Sequence, residues 1–348
     1  MKACVLHKIQ DLRYEDYPDP QIKEPRELIV RMLRGGICGS DMHYYEEGGL
    51  GTVIRVREPL IIGHEGVGIV ETVGPEVSKA KVGDMVVMRP ARPCFKCDFC
   101  EKEEYTYCND MQHLGSAARL PHATGLFAEK VLVHEAQTYV VKNMTPEVAA
   151  FAEPTAVAYN GVRSAGQIIG KNVLVMGAGP IGALTAKAAM VLGAASVAAV
   201  DVRNMPLDIC KQMGVECVVN SLENKDQIAR WQENKGHFDV LIECSGNAAA
   251  LDLGMSMVKP MGIVSQVGMF SADKAPANLG YFLTKGLTWV GVFRFYDEFG
   301  PAVQALENGW INPLPLLSKS FPAGDCVEAI KSALSPETAK VQLVFADK

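Results

Sequence analysis

The chain has 348 residues, 48% of them hydrophobic and 21% charged, with a net charge of −6. It is long enough for two domains and ordinary in composition for a soluble globular protein. Its mild acidity excludes the basic face of a nucleic-acid or acidic-membrane binder. Ten cysteines, with no apolar leader at the start of the chain, predict a cytoplasmic, reducing setting in which thiols serve metals rather than disulfides.

The first part of the chain reads as β-rich and irregular. Short apolar or alternating runs at 28–33, 66–73, 86–88 and 127–133 are separated by Gly, Pro and Asp, the punctuation of strands joined by turns. Four thiols, Cys94, Cys97, Cys100 and Cys108, fall within one loop. Thiolates so spaced close a tetrahedral zinc site with no open position, so a lobe at about 90–110 is read as carrying structural zinc. Four unrelated thiols or an iron–sulfur cluster fit this pattern less well. Cys38, His64 and a carboxylate, Glu65 or Glu153, compose a different kind of site, a zinc with one position left for water or substrate. Spacing alone leaves each of these residues an ordinary packing role as well.

From about residue 145 the texture changes. Pro146 suits the start of a helix, and 147–161 is compatible with helix broken at Pro154. A continuous apolar run at 173–176 predicts a strand buried on both faces. Gly177, Gly179 and Gly182 follow in G-x-G-x-x-G spacing, enclosing Pro180 and Ile181, and 183–192 reads as helix. These glycines allow a tight turn, close approach of a pyrophosphate and close helix packing, while the helix N-terminus holds phosphate. A second apolar run, 196–201, ends on Asp201, where an acid accepts hydrogen bonds from the adenine-side ribose. Asp201 favours NAD. Arg203 partly offsets its charge, so NADP stays open as a second coenzyme. Strands at 217–219, 238–243, 262–267 and 287–293 alternate with helical stretches, the pattern of a doubly wound parallel sheet. A helix near 299–308 and a run at 341–345 complete the chain. The expected fold is α/β plus β: a β-rich catalytic domain from 1–154 with 294–348, and a Rossmann dinucleotide-binding domain at 155–293.

Together the blocks Gly63 to Gly66, Cys38 to Asp41, the four-cysteine lobe, Glu153 with Pro154 and the 177–182 loop resemble the zinc-dependent medium-chain alcohol/polyol dehydrogenases. The resemblance spans essentially the whole chain and is nearest the sorbitol dehydrogenase branch. It implies a GroES-like fold for the β-rich domain, one catalytic and one structural zinc, and hydride transfer between a secondary alcohol and NAD(P). Position by position, it implies Cys38, His64 and Glu65 or Glu153 as catalytic zinc ligands, with Asp41 orienting His64. Ser40 would accept the substrate hydroxyl proton, and His43 would extend the relay. Tyr44 and Arg294 match positions that contact polyol hydroxyls. Phe295 stands where sorbitol enzymes carry a tyrosine, so one polar contact is missing. The stretches 35–45, 115–122 and 308–317 are similar to enzymes of sugar acids, which implies L-idonate oxidised at carbon 5 to 5-keto-D-gluconate. Arg119, His122 and Arg294 are then candidate donors to the substrate carboxylate. Sorbitol, xylitol and galactitol phosphate are the alternative substrates. The resemblance also implies a homodimer or homotetramer; the 287–293 run, at the edge of the expected sheet, is read as the place where strands of two subunits meet. Charge and composition predict neither nucleic acid nor membrane as partner.

Overall fold

The strand Glu27–Gly36 is the spine of the first sheet. Its alternation places Leu28, Val30 and Met32 on a fully buried face, packed against Val70, Val86, Val131 and Val133, as a period of two requires. The computed structural model describes residues 1–51, 53–270 and 277–346 and divides into two units. The first comprises Met1–Glu153, Phe299–Asn308 and Leu317–Lys348; the second comprises Pro154–Glu298 and Gly309–Leu316.

In the first unit the strands run in the order Thr138–Val140, Met85–Met88, Glu65–Val73, Glu27–Gly36, Lys340–Val344, Leu317–Pro322, with Lys130–His134 also paired to Glu27–Gly36. Gly36 is opposite Glu65 on one side and Gln342 on the other. The tail of the chain is thereby knitted to its beginning. Two elements here differ from the sequence expectation. The stretch after Cys38, given no element in the sequence reading, is the helix Gly39–Glu47, because the Asp41 side chain reaches back to the Cys38 N–H and closes a capping box. Cys326–Leu334 is also helical, and buries Cys326, Ala329 and Ile330 along one stripe.

The helix at the chain's midpoint is not broken by its proline. Pro146–Ala149 is one short helix and Ala152–Ser164 another, with Pro154 in the first turn of the second. At that position a missing N–H breaks no intrahelical bond.

The second unit holds six parallel strands in the order Cys217–Asn220, Ser196–Asp201, Asn172–Met176, Phe238–Glu243, Val258–Gln266, Thr288–Gly291. Counted along the chain this is 3-2-1-4-5-6, the doubly wound order of dinucleotide-binding sheets. Its core packs Leu174, Met176, Val200, Leu241 and Val264. The last strand is shorter than the 287–293 run read from sequence and is largely exposed. Among the described residues, no helix is long and apolar enough to cross a membrane.

Candidate active site and metal centres

Cys38 caps the helix that follows the spine strand, and His64 ends the loop before the strand Glu65–Val73. The donor atoms of Cys38, His64 and Glu65 lie within 4.8 Å of one another. Asp41, fully buried, ties the two segments together. Its Oδ2 accepts from Cys38 N at 3.0 Å and its Oδ1 from Gly63 N at 3.1 Å, and Oδ1 is 3.7 Å from His64 Nδ1. With Nδ1 turned to that carboxylate, Nε2 is the nitrogen left for a metal, the arrangement that orients ligating imidazoles generally. Burial pulls the His64 pKa down, but Asp41 and Cys38 outweigh it and hold the ring well above its usual value.

Glu65 is almost fully buried, and both its oxygens accept from Lys340 Nζ, at 2.7 and 2.9 Å. Glu153 sits outside the tight trio but shares its electrostatics. Burial and the charge of Glu65 raise its pKa to about 7, against the opposing pull of His64 and Lys340. The sign follows directly. Folded Glu153 keeps its proton to about pH 7 and the unfolded chain releases it near 4.5, so this group's contribution falls as pH rises through that window. In protein stripped of metal by a chelator, Glu153→Gln is expected to be more stable than wild type above pH 7, by up to about 3 kcal/mol, and no more stable below pH 4.5. Melting temperatures measured from pH 4 to 8 check this; curves that stay parallel throughout contradict it.

The other residues expected in the site are placed unevenly. Ser40 is half-buried in the first turn of the Gly39–Glu47 helix. His43 lies on its exposed face, with Nδ1 3.2 Å from Glu47 Oε1. Tyr44 is a core residue rather than a surface contact. It is buried among Leu6, Ile62 and Phe127, and its hydroxyl accepts from Ala117 N at 3.3 Å. Arg119 and His122, expected at a substrate carboxylate, instead line a cavity of about 660 Å³ to which Cys38, His64, Glu65 and Glu153 do not contribute. Arg119 Nη1 is 3.1 Å from Asp110 Oδ1. His122 Nδ1 donates to Arg119 O at 2.7 Å, and its Nε2 accepts from Arg57 N at 2.9 Å. Both ring nitrogens are thus committed locally. Arg294 belongs to the second unit; its backbone is left-handed (φ 50°), its carbonyl accepts from Asn160 Nδ2, and its guanidinium lies over Phe293. Phe295 beside it is buried.

Two further residues at this centre escaped the sequence. Lys340 arrives from the last strand. His113 places its ring 5.8 Å from that of His64, tilted at 55°, from a strand paired with Ala91–Arg92. The only local signal for His113 was its position just before the Gly115 stretch.

The four-cysteine lobe is ordered by backbone as well as sulfur. Cys97 caps the short helix Asp98–Glu101, and Cys94 N donates to Cys108 Sγ. The sulfurs stand 3.6 Å (Cys97–Cys100), 3.9 Å (Cys97–Cys108) and 4.0 Å (Cys94–Cys100) apart. A tetrahedron with Zn–S of about 2.3 Å has edges of about 3.8 Å, so the donor set fits zinc. The backbone N–H groups of Asn109 and Cys100 lower the Cys97 pKa to about 6, favouring thiolate.

In the second unit, Gly177 turns in the left-handed region (φ 87°). Gly179 caps the helix Pro180–Val191, which starts three residues before the stretch read as helix because Pro180 takes its first position. Ile181 and Gly182 complete its first turn. Asp201 ends its strand with Oδ2 accepting from Ala178 N at 2.8 Å and Oδ1 from Arg203 N at 2.9 Å. Arg203 Nε is 3.9 Å from the same carboxylate, and about half of its side chain is exposed.

Residues 24–144 match the alcohol dehydrogenase GroES-like domain and residues 180–308 the zinc-binding dehydrogenase family. The chain is 39% identical over 319 residues to an L-idonate 5-dehydrogenase (NAD(P)(+)) of Escherichia coli strain K12, covering 91% of each protein. The chain belongs to the zinc-binding medium-chain dehydrogenases. It is an NAD(P)-dependent zinc alcohol dehydrogenase. A sorbitol dehydrogenase of Bacillus subtilis strain 168 is 29% identical, over 96% of this chain and 94% of that protein. The crystal structure of the E. coli L-idonate 5-dehydrogenase superposes with a TM-score of 0.93 at 35% identity, covering 99% of this chain and 97% of that one.

Proposed function

We propose that this dehydrogenase oxidises a secondary alcohol of a sugar acid, with L-idonate converted to 5-keto-D-gluconate and NAD reduced. The observation that carries the reading is the full-length likeness to the E. coli L-idonate 5-dehydrogenase in sequence and backbone. In this reading Cys38 and His64, with Glu65 and Glu153 as the available carboxylates, hold a catalytic zinc, and the four lobe cysteines hold a structural one. Zinc, when bound, supplies Lewis acidity toward the substrate oxygen.

The chain's own residues do the rest. Asp41 fixes the His64 ring. Ser40, in the first turn after Cys38, accepts the hydroxyl proton, and His43 on the same helix passes it to solvent. Arg294 is the cation assigned to the substrate carboxylate; Arg119 and His122 are engaged with Asp110, Arg57 and local backbone. Tyr44 acts from the core, by anchoring the Ala117 backbone N–H and the Ser116 hydroxyl. The 177–182 loop receives the coenzyme pyrophosphate on the N-terminus of Pro180–Val191. Asp201, held open by two backbone N–H groups, accepts the ribose hydroxyls, which makes NAD the preferred coenzyme. Arg203 lends NADP some tolerance. The exposed edge strand Thr288–Gly291, together with the exposed side chains of Leu283, Trp289 and Phe293, suits pairing with a second copy in a homo-oligomer. Ten free thiols accord with a cytoplasmic location.

The relatives named for sorbitol and D-xylulose keep a neutral-polyol reading alive. Initial rates with L-idonate, D-gluconate, sorbitol and xylitol, each with NAD and NADP, decide between them. L-Idonate with NAD is expected to exceed the polyols about a hundredfold in kcat/KM. Equal or higher values for sorbitol or xylitol would move the chain to the polyol branch.

A further inference from the structure

Glu243 ends the strand Phe238–Glu243 of the parallel sheet and is fully buried. Taking a carboxylate out of water is costly unless its oxygens are met, and here N–H and O–H donors meet them. Oε1 accepts from Ser245 N at 2.7 Å and from the Ser245 hydroxyl. Oε2 accepts from Gly246 N at 3.1 Å and from Gln266 Nε2 at 2.6 Å. Two donors on each oxygen saturate the group. Gln266 is oriented by this demand. Its Nε2 also reaches the Gly268 carbonyl at 2.8 Å, while its Oε1 is buried without a hydrogen-bond partner. The Glu243 carbonyl adds bonds from Val267 N and Gly268 N, both at 2.8 Å. One residue thus ties the loop after its own strand to the loop after the neighbouring strand, Val258–Gln266.

These loops are fitted to one another at close range. A Cβ on Gly268 would come within 2.7 Å of Glu243 Oε2 and would overlap Gly246 N, and one on Gly246 would overlap Met269 O. In the sheet, Asn172–Met176 has the Asp201 strand on one side and Phe238–Glu243 on the other. Ligands of open α/β sheets bind outside the carboxyl ends of the strands at such a switch point. With the adenine-side ribose at Asp201 and the pyrophosphate at 177–182, the nicotinamide half falls toward loops 244–247 and 267–269. We propose that Glu243 is a positioning residue for the nicotinamide half of the coenzyme, holding these two loops in place beneath it. Its own oxygens are spent on the loops, so it acts through them and not by contact. The proposal rests on the coenzyme reading of the 177–182 loop. It separates two affinities that a general prop of the sheet would move together: the nicotinamide half loses its support, while the adenine half keeps Asp201 and the glycine turn.

The test titrates the full chain calorimetrically with NADH and, separately, with 5′-AMP, which carries the adenine half alone. Glu243→Ala leaves the Ser245, Gly246 and Gln266 donors unmet, and is expected to weaken NADH about thirtyfold while AMP stays within about twofold of wild type. Glu243→Gln, which keeps the shape and one acceptor oxygen, is expected to recover part of the NADH affinity. If Glu243→Ala does not fold, Gln266→Met carries the question. It frees only the 267–269 loop from the carboxylate, and the same split between NADH and AMP is expected at about tenfold. Equal losses for the two nucleotides would make Glu243 a general prop and overturn the inference, as would unchanged NADH affinity. A wild-type protein that binds neither nucleotide removes the coenzyme reading itself, an outcome distinct from either.

Discussion

Cys38→Ala is expected to abolish alcohol oxidation, lowering kcat/KM by at least about a thousandfold, with little loss of stability. The two halves of this expectation have different causes. Cys38 is only half-buried, and its helix is secured by Asp41, whose carboxylate bonds the Cys38 backbone N–H. Removing the sulfur leaves that bond and the Gly63 bond intact. The thiolate is nevertheless the one soft donor of the trio, and a zinc left with imidazole and carboxylate loses affinity and geometry together. Metal analysis should find about one zinc per chain where the wild type holds about two. Cys100→Ala is the converse. Its sulfur is buried against two neighbouring thiols, and closed cysteine sites contribute folding energy outright. That variant should lose the lobe zinc and several degrees of melting temperature. Near-normal turnover by metal-replete Cys38→Ala would end the assignment of this centre as catalytic.

What was legible in the sequence was what local covalent distance controls. The 177–182 loop could be read because turn, cap and close contact all lie within six residues, and each requires a glycine or proline. The lobe could be read because its thiols sit in one loop. Cys38, His64 and Glu65 were legible by chemical type, although their convergence depends on the pairing of Gly36 with Glu65 in the sheet. Lys340 was not legible at all. It meets Glu65 from 275 residues away, and one lysine at the start of an apolar strand looks like a solvated end. Arg119 and His122 are the opposite case. Their charge suggested a distant carboxylate, whereas Asp110, Arg57 and their own backbone supply partners close by. The proline at 154 was read as a break because its place within the helix, the first turn, is set by where the preceding helix stops.

Gly182→Ala is expected to damage both fold and coenzyme binding, and Gly179→Ala only the latter. At Gly182 a Cβ would run into the Gly177 carbonyl oxygen and lie 2.8 Å from its carbonyl carbon. Both obstacles are backbone, so no rotamer change relieves them. Either the helix Pro180–Val191 moves off its strand or the turn at Gly177 opens. That turn is itself pinned by the Gly177 N–H bond to Val200 O, and Ser245 stands where a Cβ on Gly177 would lie. Overpacking against such a fixed neighbour costs about 1–3 kcal/mol, and it displaces the first N–H groups of the helix from the point where they converge on phosphate. The expected result is a lowered melting temperature together with NAD binding weakened about a hundredfold or more. At Gly179 nothing lies within 4 Å of an added Cβ, and the backbone is extended. Alanine there fits the protein and obstructs only what approaches from outside. Wild-type stability with clearly weakened coenzyme binding in Gly179→Ala would identify the pyrophosphate as that visitor. NAD titrations and melting curves on both variants make the distinction. Unchanged binding in Gly179→Ala would mean that the coenzyme does not cross this loop, whatever Gly182→Ala does to the fold.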